Sequence, residues 1–135
     1  MTVIAFLSEL QKAYYLDMCR HMRQLGVRIP ISGTNWSLGG MPSLETQTVT
    51  DFTDSHTYWY SWSWKVTEKK FLNRSMLGER EPWYGGLTGY RVLDKPFFVS
   101  EWDHPWPNEW RAESSLQLAA VACLQGWAGA AIHTY

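Results

Sequence analysis

Cysteine is scarce: Cys19 and Cys123 are the only two, they show no CxxC spacing, and they fall in different predicted helices. They read as plain buried thiols, and two isolated positions specify no disulfide. No apolar run approaches the roughly 18 residues that a membrane helix needs. Charge of one sign is also lacking. Twelve Lys and Arg against thirteen Asp and Glu leave a formal charge of −1, without the basic footprint of a nucleic-acid or anionic-membrane partner. The opening Met1-Thr2-Val3-Ile4 has no basic start of a secretory signal and leads into an amphipathic helix. Charged residues are 19% and hydrophobic ones 45%, the reverse of the balance for disorder. The expectation is one domain with a buried core and a neutral molecule as partner.

Aromatic residues are abundant: nine Trp, seven Tyr and five Phe, more Trp than a small domain can bury. Trp36, Trp59, Trp62, Trp64, Trp83, Trp102, Trp106 and Trp110 stand near Gly, Pro, Asn and Asp in expected loops. An indole covers the axial C–H face of a sugar ring and leaves its hydroxyls free to hydrogen-bond. The competing role for these rings is to pin down long loops.

Ser8 and Gln11 have the form of a capping box. Leu10, Tyr14, Met18, His21, Met22 and Leu25 then recur at helical spacing up to Gly26. Val27–Ser32 reads as a short strand, ended by Gly33, Thr34, Asn35 and Trp36. A second strand is expected over Val49–His56. A third, Pro96–Ser100, is apolar as a strand buried on both faces should be. Between them Trp59–Lys95 is a long aromatic loop with a weak helical signal at Glu68–Leu77, and loops of that length are usually functional. Asn108 is placed to cap a helix over Glu109–Gln125, with Leu116, Ala119, Ala120 and Cys123 on one face and Gly126 as its stop. Trp127–Ile132 is the last strand. Helices alternating with buried strands predict an α/β fold with a parallel sheet.

Polar and aromatic groups gather at the carboxyl ends of all four expected strands: Asn35 and Trp36, His56 and Tyr58, Glu101 and Trp102, His133 and Tyr135. That is the end where parallel α/β folds build sites. Trp59, His104 and Trp106 in the adjoining loops complete the expected substrate-binding set. Glu101 emerges from a buried strand, where an unpaired carboxylate is unfavourable. It is either salt-bridged to an arginine such as Arg111 or a carboxylate nucleophile for an anomeric carbon, kept ionised by donors such as Tyr58 and His56.

Phe97-Phe98-Val99-Ser100-Glu101-Trp102 resembles the seventh-strand motif of the clan A glycoside hydrolases, whose Glu is the nucleophile. Asp54-Ser55-His56-Thr57-Tyr58 is similar to the sixth-strand His-x-Tyr pattern of that clan, Ile31–Asn35 to its fifth strand and Gly126–Gly129 to the start of its eighth. The resemblance implies that residues 1–135 are the carboxyl-terminal half of one (β/α)8 TIM-barrel catalytic domain, incomplete at both ends, with long aromatic-rich βα loops. It implies hydrolysis of β-linked oligo- or polysaccharide with retention, Glu101 as nucleophile, and no metal or organic cofactor.

The pattern departs from the clan at its second carboxylate. The clan's acid/base Glu lies in an Asn-Glu pair at the end of strand four, whereas Asn108-Glu109, the pair present here, opens a helix. Asp54 and Asp103 are the remaining substitutes. Two copies could join through open sheet edges as a homodimeric pseudo-barrel, but that arrangement would still lack the acid, so negligible hydrolysis is expected from the chain alone or as a homodimer. Two readings of other classes stand beside this one: a non-catalytic carbohydrate-binding domain and a self-assembling half-barrel. His56, His104 and His133 with Asp54 and Asp103 could suggest a metal, but no HxxxH spacing occurs. Asn35-Trp36-Ser37 and Asn73-Arg74-Ser75 match the glycosylation sequon.

Overall fold

The computed structural model describes residues 2–35, 39–59, 73–79 and 84–134. Three parallel strands, β1 (Thr53–Tyr58), β2 (Phe97–Asp103) and β3 (Gly129–Ile132), form an open sheet in the order β1-β2-β3. Around it lie α1 (Val3–Gln24), α2 (Gly40–Gln47), α3 (Gly85–Thr88) and α4 (Ala112–Gln125). The chain is therefore α/β with a parallel sheet, and its most buried strand is the central one. On one face Phe97, Val99 and Trp102 of β2 pack with Leu87 of α3, Leu118 of α4 and Trp127. Trp127 meets Phe97 edge-on, with ring centroids 5.2 Å apart. Each large apolar side chain fully buried here contributes about 1.5–3 kcal/mol. Gly126 ends α4 in the left-handed conformation at φ +65°, as the sequence predicts, and its N–H caps the carbonyls of Ala122 and Cys123. Among the described residues no helix is long and apolar enough to cross a membrane.

Several boundaries differ from expectation, each for a local reason. α1 starts at Val3 rather than after Ser8, because the Thr2 hydroxyl accepts the Ala5 N–H at 3.2 Å. Val27–Ser32 is not a strand. Arg23 takes the carbonyls of Val27 and Ile29, at 3.1 and 2.9 Å. Ile31 is tied to Asp51 through both its N–H (2.7 Å to Oδ2) and its carbonyl (2.9 Å). Groups that a ladder would use are thus satisfied locally. The next strand begins at Thr53, not Val49, because the hydroxyls of Thr48 and Thr50 turn back to the carbonyls of Glu45 and Gln47 and prolong the turn after α2. α2 itself falls in an expected loop. Of the weak helical signal at Glu68–Leu77, residues 68–72 lie outside the described residues and 73–77 are not helical.

α4 begins at Ala112, and Asn108 does not cap it. The Asn108 side chain instead accepts the Trp110 N–H at 2.8 Å and donates to the Arg74 carbonyl at 3.2 Å. The buried face of α4 is Ser114 and Leu118, with Val121 and Ala122 packed beside the core. The expected face is exposed, including Leu116 at 78% and the Cys123 thiol. α4 is apolar around much of its circumference, so periodicity could not select the side that packs. Cys19 is half-exposed, so neither thiol is the buried group expected.

Candidate active site at the carboxyl end of the sheet

The site arises from an irregularity in β2. Ser55 pairs with Val99 but His56 pairs with Glu101, so Ser100 is an extra residue, a β-bulge. The same slip recurs against β3, where Ala130 pairs with Val99 and Ile132 with Trp102. Strict alternation after Phe97 and Val99 would aim residue 101 into the helix-facing core. The bulge brings Trp102 into that core instead and turns Glu101 to the face of Phe98. Asp54 holds the bulge in place, its buried carboxylate accepting the Ser100 N–H at 3.0 Å.

Three side chains, two from β1 and one just past the end of β3, converge on a single oxygen of Glu101. The Tyr58 hydroxyl donates to Oε2. His56 Nδ1 stands 3.2 Å from that oxygen and His133 Nε2 3.8 Å. The other ring nitrogen of His56 lies 2.8 Å from Ser100 Oγ. An ionised carboxylate can only accept. A neutral His56 therefore carries its proton on Nδ1, toward Glu101, and accepts from the Ser100 hydroxyl at Nε2. Tyr58 is a fixed donor: burial, then its hydrogen bond to Glu101, then the charges of Glu101 and Asp103 push its pKa above the ordinary phenol range. Glu101 keeps 36% of its side chain exposed, and Oε1 has no partner among the described residues. Arg111 donates elsewhere, to the His104 carbonyl at 3.0 Å.

The remaining expected residues divide by accessibility. Trp59 and Trp102 are 6% and 7% exposed and His104 only 1%, so their rings form walls that a ligand cannot cover without displacing neighbours. Trp59 donates to the Arg74 carbonyl at 3.1 Å and meets His104 edge-on. Trp106, at 73%, is open. Asn35 is half-buried, and no described contact joins it to the Glu101 cluster. Trp36 and Tyr135, like Trp62, Trp64 and Trp83, lie outside the described residues. Asp54 and Asp103 are both buried, with oxygens engaged by the backbone N–H groups of Ser100 and His104, so neither presents a proton to the open face.

Sequence reasoning missed Ser100, the partner of His56 and the bulged residue. Its one sequence signal is a polar residue closing an apolar strand. Among the described residues no three His, Cys, Asp or Glu side chains gather as a metal site. A cavity of about 620 Å³ lined by Arg91–Pro96 opens at the amino end of β2, away from Glu101. No family model, curated protein or solved structure matches this chain.

Proposed function

We propose that Glu101 is the nucleophile of a retaining β-glycoside hydrolase of the clan A type, and that this chain is the carboxyl-terminal half of its (β/α)8 barrel. The reading is carried by one observation: a half-exposed carboxylate at the carboxyl end of a central parallel strand, with one oxygen held by Tyr58 and His56. In this reading Oε1 attacks the anomeric carbon and the C1–O bond to the leaving group breaks, giving a covalent glycosyl-enzyme. Tyr58 and His56 fix the orientation of the attacking group through its other oxygen. Protonation of the leaving oxygen requires a second carboxyl group about 5–5.5 Å away, and this role falls to a residue outside the set described above. Trp106 and His133 offer contact surface for the sugar.

An activated leaving group removes the need for that acid. We expect a panel of dinitrophenyl 2-deoxy-2-fluoro-β-glycosides to yield one sugar adduct per chain, mapping to Glu101 by peptide mass spectrometry and lost in Glu101→Gln. Ordinary aryl β-glycosides should turn over negligibly. An adduct at another carboxylate, or none across the panel, refutes the nucleophile assignment. Saturable oligosaccharide binding with no adduct favours the non-catalytic sugar-binding domain.

A further inference from the structure

We infer that Ser100, His56 and Glu101 form an acyl-transfer relay, in which the Ser100 hydroxyl attacks the carbonyl carbon of a short-chain ester. Ser100 Oγ lies 2.8 Å from His56 Nε2, and His56 Nδ1 lies 3.2 Å from Glu101 Oε2. A hydroxyl nucleophile is activated by a base within about 2.6–3.2 Å that a third group orients in turn. Both contacts fall within that reach. The proton on Nδ1 faces Glu101 and leaves the Nε2 lone pair toward Ser100, which is the tautomer a general base needs. Tyr58 donates to the same oxygen of Glu101, so the carboxylate is anchored independently of the imidazole.

Ordinary strand geometry forbids this grouping. Neighbouring residues of a strand point to opposite faces, so one histidine would meet residue 100 or residue 101 and not both. The bulge sets two residues of β2 against one of β1, and that one is His56. Glycosyl transfer at Glu101 calls on a second carboxyl group, whereas the three members of this relay all stand among the described residues. The relay uses Oε2 alone and holds whether or not Oε1 attacks a sugar.

As Oγ bonds to the carbonyl carbon, its proton passes to His56 Nε2, and Glu101 stabilises the imidazolium that results. The tetrahedral centre then collapses: the C–O bond to the leaving group breaks, and the leaving oxygen takes the proton from Nε2. Water, deprotonated by the same nitrogen, releases the carboxylic acid from acyl-Ser100 and restores the hydroxyl. Ser100 is half-buried, which limits the acyl group to a small one such as acetyl. Its N–H is committed to Asp54 at 3.0 Å and does not serve the oxyanion. A missing oxyanion donor costs about 10²–10³ in rate, which points to esters with good leaving groups rather than amides.

Mixing the full chain with p-nitrophenyl acetate should release nitrophenolate and leave an acetyl group on Ser100, located by peptide mass spectrometry after acid quenching. A fluorophosphonate should label the same hydroxyl. Ser100→Ala should lose both adducts with unchanged circular dichroism, because it keeps the backbone contact to Asp54. His56→Ala should slow acetylation of Ser100 by about 10²–10⁴-fold, the usual worth of a general base. If His56→Ala loses the native dichroism, Ser100→Ala decides the matter. Nitrophenolate release that persists in Ser100→Ala overturns the proposal, since another nucleophile is then responsible. So does the absence of any acetyl or phosphonyl group on Ser100, or an equally fast Ser100 adduct in folded His56→Ala. The sugar adduct at Glu101 is scored on a different residue, so either activity can fail without the other.

Discussion

At Ser100 the backbone and the side chain act on different neighbours, the N–H on Asp54 and the hydroxyl on His56. Ser100→Ala keeps the first and removes the second. His56 Nε2 then loses its donor, and the preference for a proton on Nδ1 weakens. Nitrogen chemical shifts of the His56 ring should move from a single Nδ1–H tautomer toward a mixture, with about 0.5–1.5 kcal/mol of stability lost. An unchanged single tautomer counts against the assignment. His104 makes a second residue-scale prediction. Neither of its ring nitrogens has a partner among the described residues. Burial holds its pKa below the ordinary value, outweighing the upward pull of Asn108, Glu113 and Asp103. Below about pH 6.5 the unfolded chain protonates this ring while the folded protein resists, so stability is lost as pH falls through that range. The melting midpoint should decline on acidification, and less steeply in His104→Phe; identical slopes would remove His104 as the cause. Glu101, His56 and Tyr58 were legible because each sits at the end of a recognisable strand. Ser100 was not, because an extra residue is defined by the register of two other strands.

Among the elements, the described loop at residues 73–79 is fastened to the start of α4. Glu113 accepts the Ser75 hydroxyl at 2.7 Å and the Met76 N–H at 2.9 Å, while Asn73 Oδ1 accepts the Glu109 N–H at 2.9 Å. A carboxylate in the first turn of a helix also faces the positive end of its dipole. Glu113→Ala should therefore destabilise by about 1.5–3 kcal/mol, the range for hydrogen bonds to charged groups. Urea denaturation measures this, and a change within error would mean that the clasp is solvent-replaceable. β2 and the end of α4 were readable from an unbroken apolar run and a terminal glycine. The fifth-strand segment was misread because the composition of Val27–Ser32 suits a strand, whereas Arg23 and Asp51 take its backbone groups. Pro42 in the first turn of α2 was the signal for a helix, masked by the surrounding small and polar residues.

For the molecule as a whole, alternating helical and apolar segments made the α/β class and the parallel sheet legible, while the number of strands was not. Strand count depends on whether neighbouring backbone groups find each other, and composition does not encode that. The apolar row of α1 was visible as a helical period, but its exposure was not, since periodicity reports a face without naming what covers it. The faces of the sheet are likewise unequal. One packs against α3, α4 and Trp127; the other carries Phe98, met edge-on by Phe52 with centroids 6.2 Å apart.

The extra residue in β2 has a consequence beyond its own neighbourhood. A strand of even alternation has two fates for a carboxylate near its end, water or oil, and sequence parity assigns Glu101 to oil. One inserted amino acid reverses that assignment for everything downstream while leaving Phe97 and Val99 where they were. A chain of this kind can thus gain or lose a solvent-facing acid through a single-codon insertion or deletion, with no change in the identity of the acid itself.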